Sequence, residues 1–133
     1  MPLVFENVTH QIEYDRARQL VISRRTRVGI GRADREELLG QVLDALYPLR
    51  NQRLLLDVRL APGNNDPIVE ASINRFRHRL SLLFPISATL AATAIGRLQI
   101  TRLMRERGEP GQARHAIFLD ETEALAYLMA HEV

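Results

Sequence analysis

The chain has no cysteine and no lysine. Without cysteine there is no disulfide, no thiolate zinc site and no cysteine nucleophile. No apolar run approaches the roughly 20 residues that a membrane-spanning helix needs. The opening stretch, MPLVFENVTHQIEYD, carries acids and lacks both a basic start and an apolar core. A signal peptide is therefore not expected there, and a cytoplasmic location is. No repeat, low-complexity tract or linker interrupts the 133 residues. They fit one domain, 1–133, long enough to bury a core.

The absence of lysine leaves all 18 basic charges on arginine, in keeping with a GC-rich genome. The net charge is +2, and its distribution says more. Residues 1–71 balance ten arginines against ten acids. Residues 72–119 hold eight arginines against Glu106 and Glu109, a net +6, and the last fourteen residues hold four acids and no arginine. Such asymmetry suits an anion-facing surface, and it equally suits two solvated helix faces.

Apolar periodicity places the elements. HQIEYDRARQLVIS reads as two strands around the polar connection DRAR. Asp34 and Glu37 stand in a capping-box relation before a helix whose stripe is Leu38, Val42 and Leu46, ended by Pro48. RLLLDVRL, 53–60, is a continuous apolar strand, as expected of a sheet covered on both faces. Asp66 and Pro67 then suit the cap and first position of a helix reaching Leu83, with Val69, Ile73, Phe76, Leu80 and Leu83 inward and Pro85 as its stop. A strand over 86–94, a helix over 96–108 closed by Gly108 and a short strand over 115–120 follow. Asp120 and Glu123 open a last helix with Leu125, Leu128 and Met129 inward. The fold class is therefore α/β. A mixed five-stranded sheet begins with an antiparallel hairpin and continues βαβαβα, its helices packed on the sheet.

The hairpin IEYD-x-x-x-x-LVIS, then RLLLDVR followed by APGNNDP, then TAIGRLQITRLMRE before IFLDETEALAYL, together resemble the STAS domain. The likeness is to its SpoIIAA-like branch of anti-sigma-factor antagonists, related in fold to the CRAL-TRIO lipid-exchange domains. It runs from about His10 to Leu128 and carries no catalytic signature. It implies a regulatory or scaffolding module that binds a protein partner. It also implies a phosphorylatable serine at the start of the helix after the central strand. No hydroxyl stands between Arg59 and Glu70, and Ser72 lies too far into the helix, so that switch is not expected here. Asp66 either caps the helix or supplies a permanent negative charge at that place. The CRAL-TRIO relationship implies an alternative, a small-ligand or lipid carrier with an internal apolar cavity.

The expected partner surface is the loop 61–66 with the start of the following helix, through Gly63, Asn64, Asn65 and Asp66. Loops at the carboxyl ends of strands are where open α/β sheets place their sites. PGNN, 62–65, is also a candidate nest of backbone amides, or else an ordinary turn. Arg75 and Arg79, four apart on one helix, and Arg97 on the next are candidate contacts for an anion or a lipid headgroup. Phe76 and Phe84 fit the core, which leaves no stacking platform, and nucleic acid is not expected. GIGRAD, 29–34, mimics a dinucleotide fingerprint, but Asp34 stands where a third small residue belongs and would repel a pyrophosphate. The histidines, His10, His78, His115 and His131, make no HExxH or i, i+4 pair, so no metal or cofactor is expected. His78 is expected on a solvated helix face. Glu36 and Glu37 sit on a helix surface, G-x-S-x-G is absent, and a non-enzyme is expected. Exposed edge strands of small sheets often pair, so a homodimer is compatible with this reading.

Overall fold

A computed structural model describes residues 1–106 and 114–133. Six strands form one sheet in chain order: β1 (Leu3–Glu6), β2 (His10–Asp15), β3 (Leu20–Arg25), β4 (Arg53–Asp57), β5 (Ile86–Leu90) and β6 (Arg114–Phe118). The first three pair antiparallel and the last four, from β3 on, pair parallel. Four helices connect and close it: α1 (Arg35–Leu46), α2 (Pro67–Leu83), α3 (Ala94–Glu106) and α4 (Glu121–Met129). The mixed α/β class is as expected, but the sheet has six strands rather than five. β1 adds to the outer side of the hairpin, with a register shift between Leu3 and Phe5. Its four residues are largely exposed on both faces. It has no buried alternation by which a sequence would mark a strand.

The two faces of the sheet carry separate cores. Ile12, Val21 and Leu54 point to the face covered by α1 and α2, where Leu39, Val42, Leu46, Val69, Phe76 and Leu80 meet them. Leu20, Ile22, Leu55, Ala88 and Leu90 point to the other, closed by Ala124 and Leu128 of α4. This is why the strand from Leu54 to Leu56 is apolar without alternation. Met129, expected inward, is exposed; Ala124 takes the buried place on that helix. β4 ends at Asp57, earlier than the apolar run suggested, and β5 ends at Leu90.

Helix ends follow local chemistry unevenly. Pro67 opens α2, and the Asp66 carboxylate accepts from the Ile68 amide at 3.0 Å. Asp120 caps α4 through the Glu123 amide at 3.1 Å. Asp34 precedes α1 but makes no side-chain cap bond, so the expected box with Glu37 is not formed. A single 3₁₀ turn, Tyr47–Leu49, follows α1 and contains Pro48. Gly108, expected to close α3, lies outside the described residues, as do Arg107 and Glu109. Among the described residues no helix is long and apolar enough to cross a membrane.

Candidate functional site at the carboxyl end of the sheet

The loop 61–66 sits where β4 ends, and it is fixed in place. Asn64 Oδ1 accepts the Asp66 amide at 2.7 Å, and Asn64 Nδ2 donates to the Ile30 carbonyl at 3.4 Å. Arg32 donates its Nε–H to the second Asp66 oxygen at 2.5 Å. Asp66 is thus both cap and ion-pair partner. The Arg32 guanidinium holds its carboxyl below the usual range. It does not present an unbalanced negative charge. Asn65 and Gly63 are exposed, and a Cβ at Gly63 would meet nothing within 4 Å. Gln19 and Asn51 are the non-glycine residues with positive φ among those described, so Asn64 and Asn65 lack it, and so does Gly63. PGNN therefore lacks the left-handed residue that an amide nest needs, and it is an Asx turn.

Of the arginines expected to face anions, Arg75, Arg79 and Arg97 are all exposed. Arg75 is already engaged. Its Nη2 donates to Ser72 Oγ at 3.1 Å and lies 3.5 Å from Glu36. Arg35 reaches the same hydroxyl from α1 at 3.0 Å, so this group ties α1 to α2. Ser72 itself is buried. His78, expected on a solvated face, is half-buried with Nδ1 lacking a hydrogen-bond partner among the described residues.

The parallel register sets Arg24 beside Asp57. Arg24 Nη1 donates to Asp57 at 2.7 Å and to Glu121 of α4 at 2.7 Å, and its Nε lies 3.2 Å from Glu13. Arg59 grips Asp57 with two donors at 2.9 Å each. Burial works against the charge on Asp57, yet the bonds from Arg59 and Arg24 hold its carboxyl below the usual range. Burial likewise opposes the charge on Arg24, and Glu121, Asp57 and Glu13 override it. This five-residue lattice joins β2, β3, β4 and α4 on the α4 side of the sheet.

The next residue, Arg25, faces the opposite way. It lines a cavity of about 20 Å³ with His10, Ser23, Leu56, Phe76 and Arg77. His10 is buried, its ring edge-on to Phe76 at 5.8 Å. Its Nδ1 lies 2.8 Å from Thr9 Oγ1, which lies 3.0 Å from Asn7 Oδ1. An amide oxygen only accepts, so the threonine proton goes to Asn7 and the His10 Nδ1–H donates to Thr9. Burial, then Arg25, then Arg77, push the His10 pKa down to about 3. A second cavity, of about 30 Å³, lies beyond Arg77, lined by Ser87, Thr89, His115, Ile100 and Met104 among others. Ser87 Oγ and His115 Nδ1 are in direct hydrogen-bond contact there, on neighbouring strands. A cavity must offer about 10–15 Å³ to hold one water. These two fit one or two such atoms each and no acyl chain.

Sequence reasoning did not single out Arg24, Arg25, Asp57, Arg59, Glu121 or His10. For Arg24, Arg25, Asp57 and Arg59 the one linear signal is charge inside or beside an apolar strand, in ISRRTR and LLLDVR. No group of three or more metal-ligating side chains gathers among the described residues. No protein-family model, curated protein or solved structure matches this chain.

Proposed function

We propose that this chain is a non-enzymatic binding module that docks a protein partner on the loop 61–66 and the first turn of α2. One observation carries the reading. The loop is pinned at Asn64 and Asp66, while Leu60, Pro62, Pro67, Ile68 and the neighbouring Val28 are left exposed around it. Exposed apolar side chains on a rigid frame lose little entropy on association, which is what a docking surface needs. The position, outside the carboxyl ends of parallel strands, adds to it.

From β2 onward the element order is the one that the resemblance to STAS domains implies. This supports a regulatory or scaffolding role of that kind. In this reading the partner is held without a serine phosphoswitch, because Asp66 stands at the head of α2 and is neutralised by Arg32.

The test is a pull-down comparing the wild type with Leu60→Glu, Ile68→Glu and the triple change of Asn64, Asn65 and Asp66 to Ala. The first two alter exposed positions and leave the core untouched. A partner retained by the wild type should be lost by all three. Retention of every wild-type partner by all three folded variants would overturn the proposal.

A further inference from the structure

Arg25 is 8 % exposed, and its Nε is buried with no hydrogen-bond partner among the described residues. Its Nη2 donates to the Val28 carbonyl at 3.2 Å. Burial alone accounts for the downward pull on its pKa, and no described carboxylate offsets it. A buried guanidinium is ordinarily matched by an acid, as Arg24 is on the other face. Arg77 brings a second cation to the same cavity, and its charge is felt at His10. His10 cannot supply the missing negative charge. Ser23, at the cavity wall, is a small neutral hydroxyl. The niche therefore holds a buried guanidinium N–H with no partner among the described residues, and a second arginine lines it.

We infer that the cavity between the end of β3 and α2 is an anion site that takes one oxygen of a carboxylate or phosphate group, received by Arg25 Nε–H with Arg77 beside it. The cavity size sets the class of ligand. About 20 Å³ admits one or two such atoms, so the remainder of the ligand lies outside the niche. Charge-assisted bonds from a guanidinium to such an oxygen are the strong kind, and low local dielectric strengthens them further. The inference goes beyond partner docking at the loop 61–66 and does not rest on it.

The test is an NMR titration of the full chain with inorganic phosphate, acetate and chloride at constant ionic strength. The Arg25 Nε–H and the His10 ring are the reporters. Saturable, millimolar-range shifts at both with phosphate or acetate are expected, and which of the two saturates first identifies the oxyanion. Arg25→Gln should abolish the response. Ser23→Val, which puts a methyl group at the cavity wall and leaves both guanidiniums, should weaken binding about tenfold. Should Arg25→Gln fail to fold, the wild-type Nε–H signal and Ser23→Val still decide. Three outcomes would each overturn the inference: linear shifts shared by all three salts, saturation by chloride alone, or saturable shifts confined to the exposed Arg75 and Arg79.

Discussion

Arg24 and Arg25 are neighbours on β3, and they serve opposite faces of the sheet. Arg24 meets Asp57, Glu13 and Glu121 on the α4 side, while Arg25 turns under α2 to a cavity with no described carboxylate. The strand's two-residue period forces the split, because successive side chains leave a strand on opposite faces. Two identical residues thus occupy opposed electrostatic settings, one saturated with acids and one lacking them among the described residues.

The saturated side makes a graded stability prediction. Asp57 has a side chain 9 % exposed and anchors both Arg24 and Arg59, whereas Glu121 is 36 % exposed. Asp57→Asn leaves two guanidiniums short of a charge and should cost about 2–3 kcal/mol. Glu121→Gln removes a solvent-screened partner and should cost about 1 kcal/mol or less. Urea denaturation of the two variants measures both. Equal losses would mean that burial of Asp57 does not set its weight in the lattice.

The other side predicts a pH dependence. The unfolded chain protonates His10 near 6.5, whereas the folded chain does so near 3. Folding therefore excludes a proton between those values. Stability is full above 6.5 and falls as the pH drops toward 3, by at most about 1.4 kcal/mol per pH unit. The carboxyls of Asp57 and Asp66 are held below their usual range, so their contribution is lost only at lower pH, below about 4. Unfolding curves between pH 7 and about 5 isolate the histidine. His10→Asn should flatten the slope in that window, and a variant as steep as the wild type would locate the proton elsewhere.

At the loop, the two roles of Asp66 separate by substitution. Asp66→Asn keeps an oxygen for the Ile68 amide and loses the pair with Arg32, whose side chain is 61 % exposed. It should cost no more than about 0.5 kcal/mol. Asp66→Ala loses the cap as well and should cost about 1–1.5 kcal/mol. Thermal denaturation of the pair ranks them, and a larger loss for Asn than for Ala would reverse the assignment of the cap as the main role.

How much of this was legible in the sequence differs by the kind of interaction. The β2–β3 hairpin and the capped start of α2 follow from spacing a few residues long and stand where the spacing put them, while the apolar β4 starts at Arg53 as expected and ends at Asp57 rather than Leu60. β1 escaped because Leu3–Glu6 is short and largely exposed. The Arg24–Asp57 pair depends on the register of two strands 33 residues apart, which no local pattern specifies. The doublet Arg24-Arg25 reads in sequence as solvated charge. It is the α1 and α2 side chains closing over β3 that bury one member. The loop 61–66 was found by its place after a strand. The polar groups of the cavity between β3 and α2 were not, since they come from β2, β3 and α2 and meet only in the fold.

Capping shows how far such local reading can be trusted, and it can be measured. Asp34 and Asp120 stand in the same relation to a glutamate three residues on, yet they differ in backbone. Asp120 is extended, with φ −123° and ψ 127°, and its carboxylate reaches the Glu123 amide. Asp34 has φ −115° and ψ 3°, and its carboxylate reaches no amide of α1. A side chain folds back onto the first-turn amides from an extended cap residue, and the near-zero ψ of Asp34 turns it away. Asp120→Ala should therefore cost about 1 kcal/mol. Asp34→Ala should change stability by no more than about 0.5 kcal/mol, the residual effect of a charge near a helix start. Urea titration of the two variants at neutral pH gives the comparison. A loss at Asp34 equal to that at Asp120 would show that the same sequence signal forms the same cap at both helices in solution.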